Sequence, residues 1–158
     1  MAVGKTAVGR RLAARLGWRF VDLDRAVEAA AGMKVREIFQ QRGEARFREL
    51  EKQKLGEILR QEGQVVATGG GAVLDPENLS LLREKSLLVC LTARPETILQ
   101  RAGGGKQRPL IDVADRDGRV RELLALREAS YTQAHAAIAT DDASVDEVVE
   151  KIMKVVQS

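Results

Sequence analysis

The chain is poor in the residue types that would commit it to several familiar chemistries. It has one cysteine, Cys90, which excludes an intrachain disulfide framework and fits a reducing cytoplasm. Cys90 lies within Leu87-Leu88-Val89-Cys90-Leu91, the setting of a buried, inert thiol rather than a catalytic one. His135 is the only histidine; it precedes a strand and reads as structural, and no His/Cys spacing suits a metal centre. Aromatic residues are 3% of the chain, too few for the stacking platforms that grip single-stranded nucleic acid. The arginines are dispersed rather than packed into one basic block. No apolar run approaches the roughly 18 residues of a membrane span, and no signal peptide is visible. These absences predict a cytoplasmic protein with neither nucleic acid nor membrane as a partner.

Repeats, low-complexity tracts and Pro/Ser-rich linkers are absent too, so the 158 residues read as one domain, 1–158, large enough to bury a core. Hydrophobic residues at 44% and charged residues at 31% are ordinary for a globular chain. The net charge of +3 is mild and suits an anionic small molecule.

Hydrophobic periodicity predicts a helix over 5–16 with Gly17 as its stop, a strand over 18–21 ending at Asp22, and short helices over 25–31 and 35–42. A longer helix is predicted over 44–61 and a strand over 64–67 stopping at Thr68-Gly69-Gly70-Gly71. A helix over 78–85, a strand over 86–91 and a helix over 95–102 opened by Pro95 follow. After a Gly-rich basic stretch come a helix over about 116–134 and a weak strand over 136–140. Ser144-Val145-Asp146-Glu147 is a capping box for a last amphipathic helix. Strands alternating with helices predict an α/β fold, three layers with a central parallel sheet, whose ligands lie beyond the carboxyl ends of the strands.

Gly4-Lys5-Thr6 followed by a helical stretch is the back half of a nucleotide-binding loop, G-x-x-x-x-G-K-[ST]. In such a loop backbone N–H groups, here of Gly4 to Ala7, cradle phosphates, the lysine neutralises them and the threonine ligates Mg²⁺. The competing reading is a helix start with a solvated lysine. Asp22-Leu23-Asp24 puts two carboxylates on one face of a strand end by period-two alternation, one to hold Mg²⁺ and one to accept a proton; alternatively Asp24 caps the next helix. Arg48 pairs with Glu44 and Glu51 at the surface, or is a planar fork for a substrate carboxylate held by a neighbouring acid. Gly69-Gly70-Gly71 costs backbone entropy and suggests close approach by a ligand. The segment from Arg101 to Asp115, with Gly103-Gly104-Gly105, Lys106, Arg108 and Pro109, reads as a mobile lid that closes over phosphates. Arg127 is a solvated helix charge or a second carboxylate clamp.

Together, Gly4-Lys5-Thr6, Asp22-x-Asp24, Gly43-Glu44 through Phe47-Arg48 and Glu51, Thr68-Gly69-Gly70-Gly71, Arg108-Pro109-Leu110, and Arg127 with Tyr131 resemble the shikimate kinase family of phosphate-loop kinases. Order and spacing match across nearly the whole chain. The resemblance implies ATP- and Mg²⁺-dependent phosphorylation of the 3-hydroxyl of shikimate, in aromatic amino-acid biosynthesis, by a monomer. Residue by residue it implies Lys5 at the β- and γ-phosphates, Thr6 and Asp22 at Mg²⁺, and Asp24 on the shikimate hydroxyls as proton acceptor. Arg48 and Arg127 would grip the carboxylate over Gly69, Gly70 and Gly71. Arg108 would approach the transferring phosphoryl group, and Arg101 the nucleotide near its adenine.

Two departures qualify the resemblance. The loop's first glycine and the family's first strand, central in its sheet, would fall before Met1, which predicts a gap between that strand's neighbours. Asp141-Asp142-Ala143 is acidic where relatives carry basic adenine-loop residues, so no adenine contact is assigned there. A gluconate kinase-like enzyme, or a truncated domain that binds nucleotide without catalysis, are the alternatives.

Overall fold

The computed structural model describes residues 3–102 and 115–158. Helix α1, Lys5–Leu16, is followed by strand β1, Arg19–Asp22, and helix α2, Leu23–Ala31. Helix α3, Val35–Ile58, leads to strand β2, Gln64–Ala67, and a single 3₁₀ turn over Ala72–Leu74. Then come α4, Pro76–Lys85, β3, Val89–Thr92, and α5, Pro95–Ala102. The chain ends with α6, Arg116–Tyr131, β4, Ala136–Ala139, and α7, Val145–Val156. Strands and helices alternate as the periodicity predicts, and both strand pairs are parallel.

Boundary shifts have local causes. Helix α4 starts at Pro76 rather than Asn78 because Asp75 accepts from the backbone N–H of Glu77 and Asn78, at 2.8 and 3.3 Å, and proline presets the first helical φ. Helix α2 starts at Leu23 because the cap is Asp22, whose side chain accepts from Arg25 N at 3.3 Å. The expectation that Asp24 caps this helix is therefore corrected: Asp24 sits inside its first turn. The predicted break between 42 and 44 is present as a kink inside α3 at Gly43, with φ 83° and ψ 164°, a conformation essentially closed to other residues.

The sheet is in two halves. β1 pairs only with β2 and β3 only with β4, so among the described residues no backbone ladder joins β2 to β3. The halves share a floor nonetheless. Val65 from β2 and Val89 and Leu91 from β3 pack on one cluster built from Val8 and Leu12 of α1, Ile138 of β4, and Val148, Val149 and Ile152 of α7. α1 thus spans the opening between β2 and β3. All four residues of each of these strands are only half-buried, the burial expected of strands with an uncovered edge. On the other side, Leu23, Val27, Ile38, Phe47, Leu50 and Leu55 form a second cluster under α2, α3 and α4.

Candidate active site

The carboxyl ends of β1 and β2 and the start of α1 meet at one place. α1 begins after Gly4, which is left-handed at φ 86° and ψ 19° and has no side chain to cap the helix. Its first-turn N–H groups and the positive end of its dipole are thereby left for an anion. Lys5 lies close enough to Asp24 and Cys90 to favour the ionised form of each, so its charge sits over the strand ends. Burial outweighs it at Cys90 and pushes that thiol up, although the residue is half-buried and not the fully buried thiol its apolar neighbours suggest. The Thr6 hydroxyl donates to Asp22 Oδ2 at 3.4 Å, a long bond between two hard oxygen donors.

Asp22 and Asp24 reach the site by a different route from strand alternation. Asp22 is the last residue of β1 and Asp24 lies in the first turn of α2, so the strand-to-helix turn brings them together. Leu23 between them is fully buried, at 0% exposure, and pins that turn. Burial raises the Asp24 carboxyl above its ordinary range and the neighbouring Asp22 charge adds to this, with Lys5 opposing.

The kink at Gly43 redirects α3 so that Arg48 faces the glycine turn after β2. Arg48 donates to Glu51 Oε1 at 2.9 Å and to Glu44 Oε1 at 3.3 Å, and stacks over the Phe47 ring at 5.2 Å. Glu51 is 1% exposed and its Oε2 has no hydrogen-bond partner. Burial raises its carboxyl above the usual range, against the pull of Arg48. From α6, Arg127 comes in at 2% exposure.

The three glycines are explained by what packs on them. A Cβ at Gly70 would lie 2.6 Å from Arg127 Nη1 and 2.9 Å from the Tyr131 hydroxyl. One at Gly71 would collide with the Arg48 guanidinium, lying 2.7 Å from its Cζ. At Gly69 it would meet Asp24 Oδ1 at 3.5 Å and Glu51 Oε2 at 3.6 Å. The close approach that the sequence suggests is made here by the protein's own guanidinium groups. The turn therefore gathers Asp24, Glu51, Arg48 and Arg127 at consecutive positions, and Arg127 is a buried residue, not a solvated helix charge.

Glu51 and Tyr131 are the side chains in this cluster whose placement the sequence understates. Glu51 stands four residues after Phe47 and four before Leu55, both buried, so the apolar stripe of α3 carries it inward. Tyr131 follows Arg127 by one helical turn. Burial raises its phenol, while the Arg127 guanidinium bonded to it pulls the other way.

Arg101 is occupied: its guanidinium donates to the hydroxyl and the carbonyl of Thr140, both at 2.9 Å. Asp141 accepts from the Thr97 hydroxyl at 2.6 Å and from Arg94 N at 3.0 Å, which hold its carboxyl down at about 2. It ties the start of α5 to the end of β4. His135 is structural, its Nδ1 accepting from Leu88 N at 2.9 Å. Lys106, Arg108 and Pro109, and with them most of the expected lid, lie outside the described residues.

The comparisons with known proteins agree with one another. A family model described as shikimate kinase matches residues 1–157. A shikimate kinase of Symbiobacterium thermophilum is 48% identical over 160 residues, covering 99% of this chain and 92% of the relative. One of Caldanaerobacter subterraneus is 44% identical over 154 residues, covering 98% and 90%. The structure of a shikimate kinase from Acinetobacter baumannii in complex with shikimate superposes with a TM-score of 0.95 at 35% identity, covering 99% of this chain and 88% of that one. With a whole-chain family match and the arginine, acid and glycine cluster in place, the chain belongs to the shikimate kinase family.

Proposed function

We propose that the chain transfers the terminal phosphoryl group of ATP to the 3-hydroxyl of shikimate, with the acceptor held by Asp24, Arg48, Arg127 and the Gly69–Gly71 turn. The observation that carries this reading is the convergence of two guanidinium groups on adjacent glycines beside the buried Glu51 and the half-buried Asp24. Two planar forks at neighbouring positions suit one carboxylate, and an acid next to them suits a ring hydroxyl. A gluconate kinase-like enzyme has no need of Arg48, the glycine turn and Arg127 together.

Each residue then has a role. Arg48 and Arg127 orient the acceptor through its carboxylate, and Glu51 holds the Arg48 fork. Asp24 accepts the hydrogen of the attacking hydroxyl, and its raised pKa makes it a better proton acceptor than an ordinary aspartate. Lys5 and the backbone N–H groups of Gly4 to Ala7 bind the phosphates. Thr6 and Asp22, two hard oxygen donors 3.4 Å apart, fit a Mg²⁺ that keeps most of its waters; when bound, that ion neutralises charge on the phosphate oxygens. Arg108 is assigned to the transferring phosphoryl group and Arg101 to the nucleotide side, on the resemblance alone. Catalysis here is positioning and charge neutralisation, as phosphoryl transfer requires. We further propose a cytoplasmic monomer; among the described residues no helix is long and apolar enough to cross a membrane.

ADP release by the purified chain, with shikimate, gluconate or nucleoside monophosphates as acceptor, tests the reading. Release that depends on shikimate and ignores the others supports it. Equal response to gluconate or a nucleotide, or ATP binding by calorimetry with no turnover, overturns it.

A further inference from the structure

A groove runs along β1 and ends at Asp22, beside the catalytic cluster. It has a volume of about 540 Å³ and is lined by Arg19, Phe20, Val21 and Asp22, all four residues of the strand. Side chains of a strand alternate between faces, so a cavity on one face would touch every second residue. One that touches each in turn lies along the strand's edge. β1 pairs only with β2, so among the described residues its other edge keeps its backbone donors and acceptors unpaired. α1 contributes Arg10 to one wall and α2 and α3 contribute Arg25, Lys54 and Glu57 to the other.

The walls are basic. Arg10, Arg19, Arg25 and Lys54 face Asp22 and Glu57, and these acids are engaged: Glu57 pairs with Lys54 at 2.7 Å, and Asp22 bonds Thr6 and Arg25 N. Arg10 lies over the Phe20 ring at 5.6 Å, and Arg19 donates to the neutral amides of Gln61 and Gln64. Arg10 and Arg25 have no carboxylate partner among the described residues.

We propose that this edge is a docking site for an extended acidic segment of a partner protein, which adds a strand to β1 with its carboxylates reaching Arg10 and Arg25. Backbone pairing along four residues supplies the register, and the flanking cations select acidic side chains and speed encounter. A second copy of this chain paired β1 to β1 would bring both sets of cations together, which disfavours it as the occupant.

The test is fluorescence anisotropy of a labelled octapeptide of alternating glutamate and valine against the full 158-residue chain. Saturable binding is expected that weakens with salt, about tenfold or more with Arg10→Glu plus Arg25→Glu, and is lost when the peptide's alternate amides are N-methylated in the pairing register. Circular dichroism checks the fold of the double variant, and Arg25→Ser replaces it should it misfold, with a smaller loss expected. Equal binding by a control octapeptide of alternating lysine and valine, or by the N-methylated peptides in both registers, overturns the proposal. So does displacement by inorganic polyphosphate with no dependence on peptide N–H groups, which would leave a plain anion site. Concentration-dependent self-association that Arg10→Glu abolishes, or no saturable binding at all, overturns it as well.

Discussion

A methyl group is enough to test the site, because Arg127 and Tyr131 pack on Gly70 and Arg48 packs on Gly71. Gly71→Ala forces the Arg48 fork away from the turn. The Michaelis constant for shikimate should rise by about ten- to a hundredfold, as expected for a loss of about 1.4–2.7 kcal/mol of carboxylate binding, while that for ATP changes little. Arg127→Ala should act in the same direction, and normal shikimate binding by calorimetry would remove the clamp assignment. Asp24→Asn should instead lower turnover; near-native turnover would end its role as proton acceptor. The two raised carboxyls also predict a pH effect on stability. Asp24 and Glu51 hold a proton more tightly folded than unfolded, so from the ordinary carboxylate range near pH 4 up through their raised values the folded state carries more protons. Stability contributed by these groups is complete below that window and is lost as pH rises through it. Thermal melts of the unliganded chain should show this fall, and Glu51→Gln should flatten it; an unchanged slope would contradict the assignment. At this scale much was legible. The glycine run marks a close approach by type and spacing, the roles of Arg48, Asp24 and Arg127 come from the resemblance, and the burial of Glu51 is set by tertiary packing that no local pattern prints.

Among the elements, α3 shows how a backbone feature aims a side chain. Gly43 interrupts the helix at φ 83° and ψ 164°, and only beyond that kink does Arg48 face the glycine turn. Gly43→Ala should cost about 1–3 kcal/mol of stability through strain and weaken shikimate binding with it. Denaturant melts paired with a shikimate titration check this, and a stable variant with weaker binding alone would place the effect on the aim of α3 and not on strain. The sequence marks the kink because glycine is the residue that permits it. It marks the cap of α2 less well: Asp22 and Asp24 both precede helical residues, and the choice between them depends on where β1 ends, a boundary set by its pairing with β2.

For the whole molecule, the described residues form two parallel pairs that α1 and α7 hold together through one shared cluster. Two-stranded sheets are marginal alone, so their stability here rests on the shared cluster under Val65, Val89 and Leu91. Hydrogen exchange should find the amides on the facing edges of β2 and β3 opening far more easily than those in the β1–β2 and β3–β4 ladders; uniform protection would contradict this pairing. The alternation of strands and helices was readable from periodicity, whereas the order of strands across the sheet is fixed by long-range pairing. The same scale carries the function, since phosphoryl transfer needs the start of α1, the acids and the two guanidinium groups held in one site. Phosphorus NMR of the purified chain with ATP, Mg²⁺ and shikimate tests this most directly. The account predicts a new phosphate-monoester signal coupled to the proton at carbon 3 of shikimate, appearing as ADP accumulates; ATP left intact, or hydrolysed to free phosphate with no ester formed, would contradict it.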